Sequence, residues 1–346
     1  MDFGSGDEIR FDRIGRVGVV TLTRPKALNA LTHGMVKALA RALTAWAEDE
    51  SVALVVVRGE GRAFCAGGDI LDVYRSREEG REAHGFFADE YRMNTQLAAF
   101  PKPYVSLIDG IVMGGGVGIS CHGSHRVMTE NAVLAMPEVG IGFFPDVGGS
   151  YLLSRTRGSY GMYLALTGGR IRAGDAVWAG LATHAIASSD IPLAFDALAQ
   201  TGDADGALKP FLKTPDRQTD EATLHAIARH FGYETLEDIV ASLTEARSDE
   251  FAKATLATMA TRSPTSLKVT FRQIKAGAML SMEECMEMEY RILRRMLKGH
   301  DFYEGIRAML VDKGSTPQWR PSSLDAVSEA EVDAYFAPLP SGELWP

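Results

Sequence analysis

Three consecutive glycines, Gly114 to Gly116, open a short apolar segment that runs to Cys121. A glycine run at the start of a predicted helix carries no Cβ atoms, so its backbone N–H groups can approach a ligand closely. Two acids, Glu138 and Asp146, follow in a stretch that is apolar and also rich in glycine. Because burying a carboxylate is costly without a partner or a task, this pattern predicts an anion-stabilising pocket and a carboxylate pair.

A second glycine turn lies upstream of the first. The apolar run from Val52 to Val57 predicts a buried strand, and Gly67 and Gly68 follow it just before a predicted helix start. An oxyanion hole requires two backbone N–H donors, and two separate glycine turns can each supply one of them. The two turns therefore predict a site that stabilises a developing oxyanion.

The rest of the chain alternates predicted strands and helices and then becomes mainly helical after Gly158. Further strands are predicted over residues 17–22, 104–108 and 127–129. Thr32 is the predicted N-cap of a helix over 33–49, and Ser263 with Pro264 opens another. Residues 203–217 are predicted to form a loop or linker, and residues 314–346 an irregular tail. This pattern predicts the α/β class.

Composition and charge exclude several classes of function. The chain has 346 residues and a net charge of −9, which argues against a nucleic-acid surface. No apolar stretch approaches the roughly 20 residues that span a bilayer, and the acidic N-terminus does not resemble a signal peptide. Cys65, Cys121 and Cys285 form no C-x-x-C motif, which predicts reduced thiols and a cytoplasmic location.

Five segments resemble, in the same order, the crotonase (enoyl-CoA hydratase/isomerase) superfamily. They are Arg24–Leu31, Ala66–Ile70, Gly114–Gly116, Leu166–Gly168 and Gly180–Ala182. The resemblance implies a crotonase-like α/β fold of repeated ββα units with a spiral core. It implies that residues 1–200 carry the CoA and catalytic sites and that residues 201–346 form a helical C-terminal region. The expected substrate is an acyl-CoA, no separate cofactor or metal is expected, and a homo-oligomer is left open.

The resemblance also assigns residues to the binding of CoA and of the thioester oxygen. The residues expected to bind CoA are Lys26, Ala27, Leu28, Ala66, Gly68, Asp69 and Ile70. The N–H groups of Gly68 and Gly115 match the family's two oxyanion donors. Because CoA is polyanionic, the basic side chains of Arg24, Lys26 and Lys268 are candidates for local contacts with it.

Within the superfamily, further segments resemble the 3-hydroxyisobutyryl-CoA hydrolase branch. They are Phe86–Tyr91, Lys102–Val105, Gly114–Ser120, Pro145–Gly149 and Ser263–Lys268. This resemblance implies hydrolysis of a short 3-hydroxyacyl-CoA thioester and an association with valine breakdown. Glu138 and Asp146 are the expected catalytic residues, and both bind substrate together with Glu90 and Gly115. Enoyl-CoA hydratases carry a second water-holding glutamate where this chain has Gly118.

Several alternatives remain open at this point. The alternatives to a hydrolase are a hydratase or isomerase of the same fold and a non-catalytic acyl-CoA-binding homologue. Glu138 is either a general base or a nucleophile, and its non-catalytic interpretation is a turn or helix-cap acid after Pro137. The pattern around Glu90 by itself indicates a surface position, and Asp146 is also a candidate N-cap for residues 147–153. His122 and His125 lack a third metal ligand in register.

Overall fold

The computed structural model describes residues 1–4, 6–340 and 342–345. These residues group into two compact units, each built from segments that are not contiguous in the chain. The first unit comprises residues 1–69, 89–135 and 170–218, and the second comprises residues 70–88, 136–169 and 219–346. The expected division of the chain into a core of residues 1–200 and a C-terminal region of residues 201–346 stays a prediction.

All strands of the described chain belong to the first unit. In chain order they are β1 (Ile9–Ile14), β2 (Val17–Leu22), β3 (Leu54–Gly59), β4 (Ala63–Cys65), β5 (Tyr104–Ile108), β6 (Ile111–Met113), β7 (His125–Met128), β8 (Val133–Ala135), β9 (Arg170–Ile171) and β10 (His184–Ala185). The larger sheet has the order β1-β2-β3-β5-β7-β10, and the smaller one has the order β4-β6-β8-β9. The predicted strands over 17–22 and 104–108 are confirmed, whereas β1 had not been predicted.

The helices are distributed over both units. In chain order they are α1 (His33–Glu48), α2 (Ile70–Glu78), α3 (His84–Ala98), α4 (Gly115–Gly118), α5 (Gly149–Ser154), α6 (Tyr160–Thr167), α7 (Ala173–Ala179), α8 (Ile191–Thr201), α9 (Ala204–Leu208), α10 (Glu221–Phe231), α11 (Leu236–Glu245), α12 (Glu250–Met259), α13 (Pro264–Gly277), α14 (Met282–Met296), α15 (Asp301–Ile306) and α16 (Glu329–Phe336). Among the described residues, no helix is both long and apolar enough to cross a membrane.

The two faces of the large sheet are covered by different helices. Alternate residues of a strand point to the same face, and one face packs against α8 and α9. This cluster consists of Val17, Val19, Leu54, Val56, Val105, Leu107, Val127, Ile186, Ala194, Phe195, Leu198, Ala204, Ala207 and Leu208. Gly18 points to the opposite face, where a Cβ atom would lie 2.8 Å from the Trp46 ring of α1. Glycine at this position therefore lets α1 approach the sheet closely.

Capping residues set the starts of the helices as the sequence predicts. Thr32 Oγ1 accepts the N–H of Met35 at 3.3 Å, which fixes the start of α1. Ser263 Oγ accepts the N–H of Ser266 at 3.1 Å, and Pro264 occupies the first turn of α13. Both predicted caps are confirmed.

Two segments that the sequence indicated to be irregular contain helices. The loop predicted over 203–217 contains α9, because Asp203 caps its N-terminus and Leu208 is buried under the sheet. The tail predicted over 314–346 contains α16, which Ser328 opens in a capping box with Glu331. Burial of single apolar residues and local capping outweighed the composition of these segments, so both predictions are wrong for the helical residues.

Candidate active site

The two glycine turns of the first unit follow two neighbouring strands. β4 and β6 are parallel neighbours in the small sheet, so their C-terminal ends lie at the same edge. Gly67 adopts a φ of +114° after β4, and Gly114 a φ of +49° after β6, both left-handed conformations that favour glycine. Gly114 O accepts the N–H groups of Val117 and Gly118, which starts α4 at Gly115.

The backbone amides of Gly68 and Gly115 lie beside each other. A Cβ atom on Gly115 would lie 3.2 Å from the nitrogen of Gly68, and one on Gly67 would lie 3.7 Å from the nitrogen of Gly115. The carbonyl of Leu31 accepts the N–H of Asp69, and the N–H of Leu31 donates to the carbonyl of Gly67. The N–H of Gly68 therefore takes no part in the hydrogen bonds of this short parallel bridge. Within the described chain, neither Gly68 N–H nor Gly115 N–H donates a hydrogen bond. Two neighbouring N–H groups are therefore available to one small anionic group.

Glu90 lies against these amides and is buried. It belongs to the α3 segment of the first unit and is 2 % exposed. A Cβ atom on Gly115 would lie 2.6 Å from Glu90 Oε1, so glycine leaves room for this carboxyl group in its present position. The surface position indicated by its local pattern is wrong, because packing of α3 on the glycine turn buries it. The substrate-binding role that the family resemblance implies for Glu90 stays a prediction.

The predicted CoA segment pairs with the first glycine turn. Ala66 donates to Leu28 O at 3.0 Å, and Leu31 donates to Gly67 O at 2.8 Å. Leu28 and Asn29 both have left-handed φ angles, +51° and +57°, which is uncommon for residues other than glycine. The predicted residues Lys26, Ala27, Leu28, Ala66, Gly68 and Asp69 thus lie on two paired segments of the first unit. Ile70 begins α2 in the second unit.

Asn29 holds this segment in place, and the sequence analysis did not single it out. Its side chain is buried and donates to the carbonyls of Glu60 and Ala63, both at 2.9 Å, while Oδ1 accepts from Arg24 N. Its signal was present in the motif Arg24–Leu31, where an asparagine is one of the residues that tolerate a left-handed turn.

Of the three basic candidates for CoA contacts, two are held by acids of the chain. Arg24 pairs with Asp69 at 3.0 Å and with Glu8 at 3.2 Å. Lys268 pairs with Glu237 at 2.8 Å and with Glu329 at 3.4 Å, and its side chain is 10 % exposed. Lys26 lies exposed on the 3-10 turn Pro25–Ala27, where its ammonium group is accessible to a phosphate. Lys26 is therefore the best placed of the three.

Glu138 opens a 3-10 turn, Glu138–Ile141, in the second unit and is 7 % exposed. Two glycines allow this turn to pack directly on α15. A Cβ atom on Gly142 would lie 2.4 Å from Asp301 O, and one on Gly305 would lie 2.3 Å from Ile141. Such backbone-to-backbone contacts fix the position of the turn, and with it the position from which the Glu138 side chain projects.

Asp146 precedes a strained turn in the same unit. It is 5 % exposed, and Val147 and Gly148 after it have φ angles of +51° and +82°. A left-handed conformation is a genuine outlier for a β-branched residue, and such strain concentrates at functional sites. Gly149 donates to Asp146 O at 2.7 Å and closes the turn.

The predicted role of Asp146 as an N-cap is wrong. The N-cap of α5 is Gly148, and α5 begins at Gly149 without a side-chain cap. The left-handed pair Val147–Gly148 separates Asp146 from the helix, which has no side-chain cap at its start.

A second buried carboxyl group supports this turn. Glu289 of α14 is fully buried and accepts the N–H groups of Gly148 at 2.8 Å and of Ser150 at 2.9 Å, together with Ser150 Oγ. Burial raises the pKa of Glu289 to about 8, although these hydrogen bonds act in the opposite direction. The sequence analysis missed Glu289, whose signal was its position on the apolar face of α14, four residues after Cys285 and three before Ile292.

The geometry supports neither a cysteine nucleophile nor a metal site at the histidines. Burial raises the pKa of the Cys121 thiol and raises that of Cys65 to about 12, so neither is a ready thiolate. His125 Nε2 lies 3.1 Å from Asp205 Oδ1, and its ring stacks on His184. Among residues 1–4, 6–340 and 342–345, no group of three potential ligands could hold a metal ion.

The fold, the two glycine amides and the buried acids together define a class of protein. The sequence profile of the enoyl-CoA hydratase/isomerase family matches residues 17–336. The chain therefore belongs to this family, and the family expected from the sequence is confirmed.

The curated relatives are named more narrowly. The chain is 43 % identical to "3-hydroxyisobutyryl-CoA hydrolase, mitochondrial" of Danio rerio, over 99 % of this chain and 93 % of that protein. It is 39 % identical to the protein of the same name from Homo sapiens, over 98 % and 91 % of the two chains. The similarity thus extends over nearly the full length of both chains.

Solved structures confirm the crotonase-like α/β fold. A carnitinyl-CoA dehydratase from Mycobacterium thermoresistibile has a TM-score of 0.92 and 44 % identity, over 98 % of each chain. An enoyl-CoA hydratase from Rhodobacter sphaeroides 2.4.1 has a TM-score of 0.88 and 40 % identity, over 97 % of this chain and 99 % of the other.

The cytoplasmic location expected from the cysteines is wrong by these comparisons, because the curated relatives are named as mitochondrial proteins. The three buried, free thiols are compatible with any reducing environment, and they do not distinguish one compartment from another.

Proposed function

We propose that this protein is an acyl-CoA thioester hydrolase that converts 3-hydroxyisobutyryl-CoA and water into 3-hydroxyisobutyrate and CoA. The proposal is supported by curated relatives of that name that match nearly the whole chain. It is also supported by a pair of adjacent amide donors in the first unit and by two buried acids in the second. The reaction needs no cofactor, since CoA is part of the substrate.

The amides of Gly68 and Gly115 bind the thioester oxygen in this proposal. When water or a carboxylate adds to the carbonyl carbon, negative charge develops on that oxygen, and fixed N–H donors stabilise it. The amide of Gly115 also lies at the start of α4, so no intrahelical acceptor competes for it. In this proposal the Glu90 carboxylate, which lies beside Gly115, accepts a hydrogen bond from the substrate hydroxyl.

Glu138 supplies the second component of the reaction, by one of two routes. As a general base it removes a proton from water, whose oxygen then forms the bond to the carbonyl carbon. As a nucleophile it attacks the carbonyl carbon itself, expels the CoA thiolate and forms a mixed anhydride that water opens afterwards. In the general-base route the tetrahedral adduct then expels the CoA thiolate as its C–S bond breaks. In both routes we assign to Asp146 the relay of a proton from the consumed water to the thiolate, so that Asp146 ends each turnover as a carboxylate.

The single observation that favours hydrolysis over hydration is Gly118. This residue is buried at the end of α4, where the hydratases carry a second water-holding glutamate. A glycine cannot hold water for addition to a double bond, whereas hydrolysis requires only one activating acid. Hydration is nevertheless the second candidate, because the two solved structures with the similarity given above are named as a dehydratase and a hydratase.

The substrate panel tests this assignment. We expect thiol release to be fast from 3-hydroxyisobutyryl-CoA, slower from 3-hydroxypropionyl-CoA and slower by roughly ten- to a hundredfold in kcat/KM from isobutyryl-CoA, which lacks the hydroxyl. A hydrogen bond to a charged group contributes about 1.5–3 kcal/mol, which corresponds to that range. The measurement is kcat/KM for each thioester by thiol detection.

Crotonyl-CoA is the control that distinguishes the two candidates. Its thioester and its double bond are followed separately, by thiol release and by loss of the enoyl absorbance. Slow or undetectable hydration agrees with the hydrolase. Rapid loss of enoyl absorbance without thiol release would replace the hydrolase by the hydratase.

Isotope labelling separates the two routes of Glu138. If Glu138 attacks directly, turnovers in heavy-oxygen water should label its side chain, because water opens the anhydride at either carbonyl carbon. The peptide that contains Glu138 is then analysed by mass spectrometry, with the peptide that contains Glu289 as the internal control. Label confined to the released acid after many turnovers would leave the general-base route.

A further inference from the structure

Glu289 is a buried acid to which the family resemblance assigned no role. It is the one acid in the middle of α14 that is fully buried, with Cys285, Ile292 and Met296 on the same helix face. An acid at such a position is costly unless its oxygens receive hydrogen bonds. The three donors to its carboxyl group all belong to Gly148 and Ser150, so the hydrogen bonds that it accepts come from one short segment at the start of α5.

This turn carries Asp146 and is strained. Val147 is left-handed although its side chain is β-branched, and Gly148 is left-handed as well. A conformation of this kind persists only where the surroundings fix it. Glu289 fixes the C-terminal side through Gly148 N, and Gln273 of α13 donates to Pro145 O on the N-terminal side. Asp146 is therefore held between two anchors, each supplied by a long helix of the same unit.

The two acids also interact electrostatically. Burial is the largest cause of the raised pKa of Glu289, and the charge of Asp146 raises it further, against the hydrogen bonds from Ser150 and Gly148. The raised pKa shows that the cost of burying this carboxyl group is only partly offset. A residue that only filled space at this position could be apolar, whereas the carboxyl group of Glu289 accepts N–H groups of a strained turn.

We propose that Glu289 is a positioning residue for the reaction, which sets the place of the Asp146 carboxylate by holding Gly148 and Ser150. This role rests on the proposed thioester hydrolysis. It predicts that loss of the anchor lets Val147 relax toward an ordinary conformation and moves Asp146 away from its working position, with no direct loss of substrate contacts.

A double-mutant cycle between Glu289→Gln and Asp146→Asn tests this role. The amide has one acceptor oxygen, and its NH2 group faces N–H donors, so it cannot replace both contacts. We expect Glu289→Gln to lower kcat by between about ten- and a hundredfold, since misplacement by about 1 Å can cost that much, with KM changed less than about threefold. In the Asp146→Asn background the same substitution should have no further effect on kcat.

Control variants keep the cycle interpretable. Glu283→Gln removes an exposed acid from the same helix and should leave kcat unchanged. If Glu289→Gln does not fold, Ser150→Ala removes only the hydroxyl donor and should lower kcat by about three- to tenfold, again without effect in the Asp146→Asn background. Circular dichroism and the melting temperature establish that each variant is folded.

The outcomes separate this role from the proposed function. An unchanged kcat in folded Glu289→Gln, or an effect that multiplies with that of Asp146→Asn, would overturn the role of Glu289. A wild-type enzyme that releases no thiol but hydrates crotonyl-CoA would overturn the proposed function, and the cycle measured on that reaction would then decide the role of Glu289.

Discussion

Replacing Glu138 by glutamine is expected to lower kcat for thioester hydrolysis by about 10³-fold, in the middle of the range that general acid–base catalysis contributes. The amide has the shape of the carboxylate, but it can neither take up a proton from water nor attack the carbonyl carbon. The 3-10 turn that carries residue 138 is fixed by the contacts of Gly142 and Gly305 with α15, so the substitution should leave its backbone in place. The affinity for CoA should change little.

The measurement is kcat by thiol release, together with the dissociation constant of CoA by calorimetry. Glu245→Gln, at the exposed end of α11, is the matched control and should retain full activity. If Glu138→Gln keeps kcat within about tenfold of the wild type, below the usual contribution of a catalytic acid or base, another group activates the nucleophile.

Replacing Gly115 by alanine is expected to lower kcat/KM by about 10²- to 10³-fold, as much as the removal of one oxyanion donor does, because the new methyl group blocks access to both donors. The new methyl group would lie 2.6 Å from Glu90 Oε1 and 3.2 Å from the nitrogen of Gly68. It would therefore displace the Glu90 carboxyl group and occupy the space in front of the two amides. The N–H of residue 115 itself remains, so the effect comes from blocked access and not from a lost donor.

Gly34→Ala is the matched control for this substitution. Gly34 lies in α1, where a Cβ atom would only contact Thr32 Oγ1 at 3.7 Å, and alanine there should preserve activity and slightly favour the helix. Circular dichroism and the melting temperature show whether each variant is folded. A folded Gly115→Ala enzyme with wild-type kcat/KM would mean that the oxyanion is stabilised elsewhere.

The sequence by itself determined the features that depend on local pattern. Mainly apolar runs predicted β2 and β5 with their observed limits, because a strand buried on both faces carries apolar side chains at most positions. Thr32 and Ser263 predicted the starts of two helices, because a cap acts on N–H groups only two or three residues away. The glycine turns could also be predicted from the sequence, since few other residues adopt their backbone conformation.

Only the tertiary structure decided which of the acids are buried and what holds them. Glu90 follows a pattern that indicates the surface, yet the packing of α3 on Gly115 buries it. Glu289 lies in a helix rich in charged residues. Its hydrogen-bond partners are Gly148, which lies 141 residues away in the chain, and the nearby Ser150. Capping and periodicity act over a few residues, whereas burial and long-range hydrogen bonds depend on segments that meet only when the chain has folded. The types of residue in the candidate site could therefore be read from the sequence, but their environments could not.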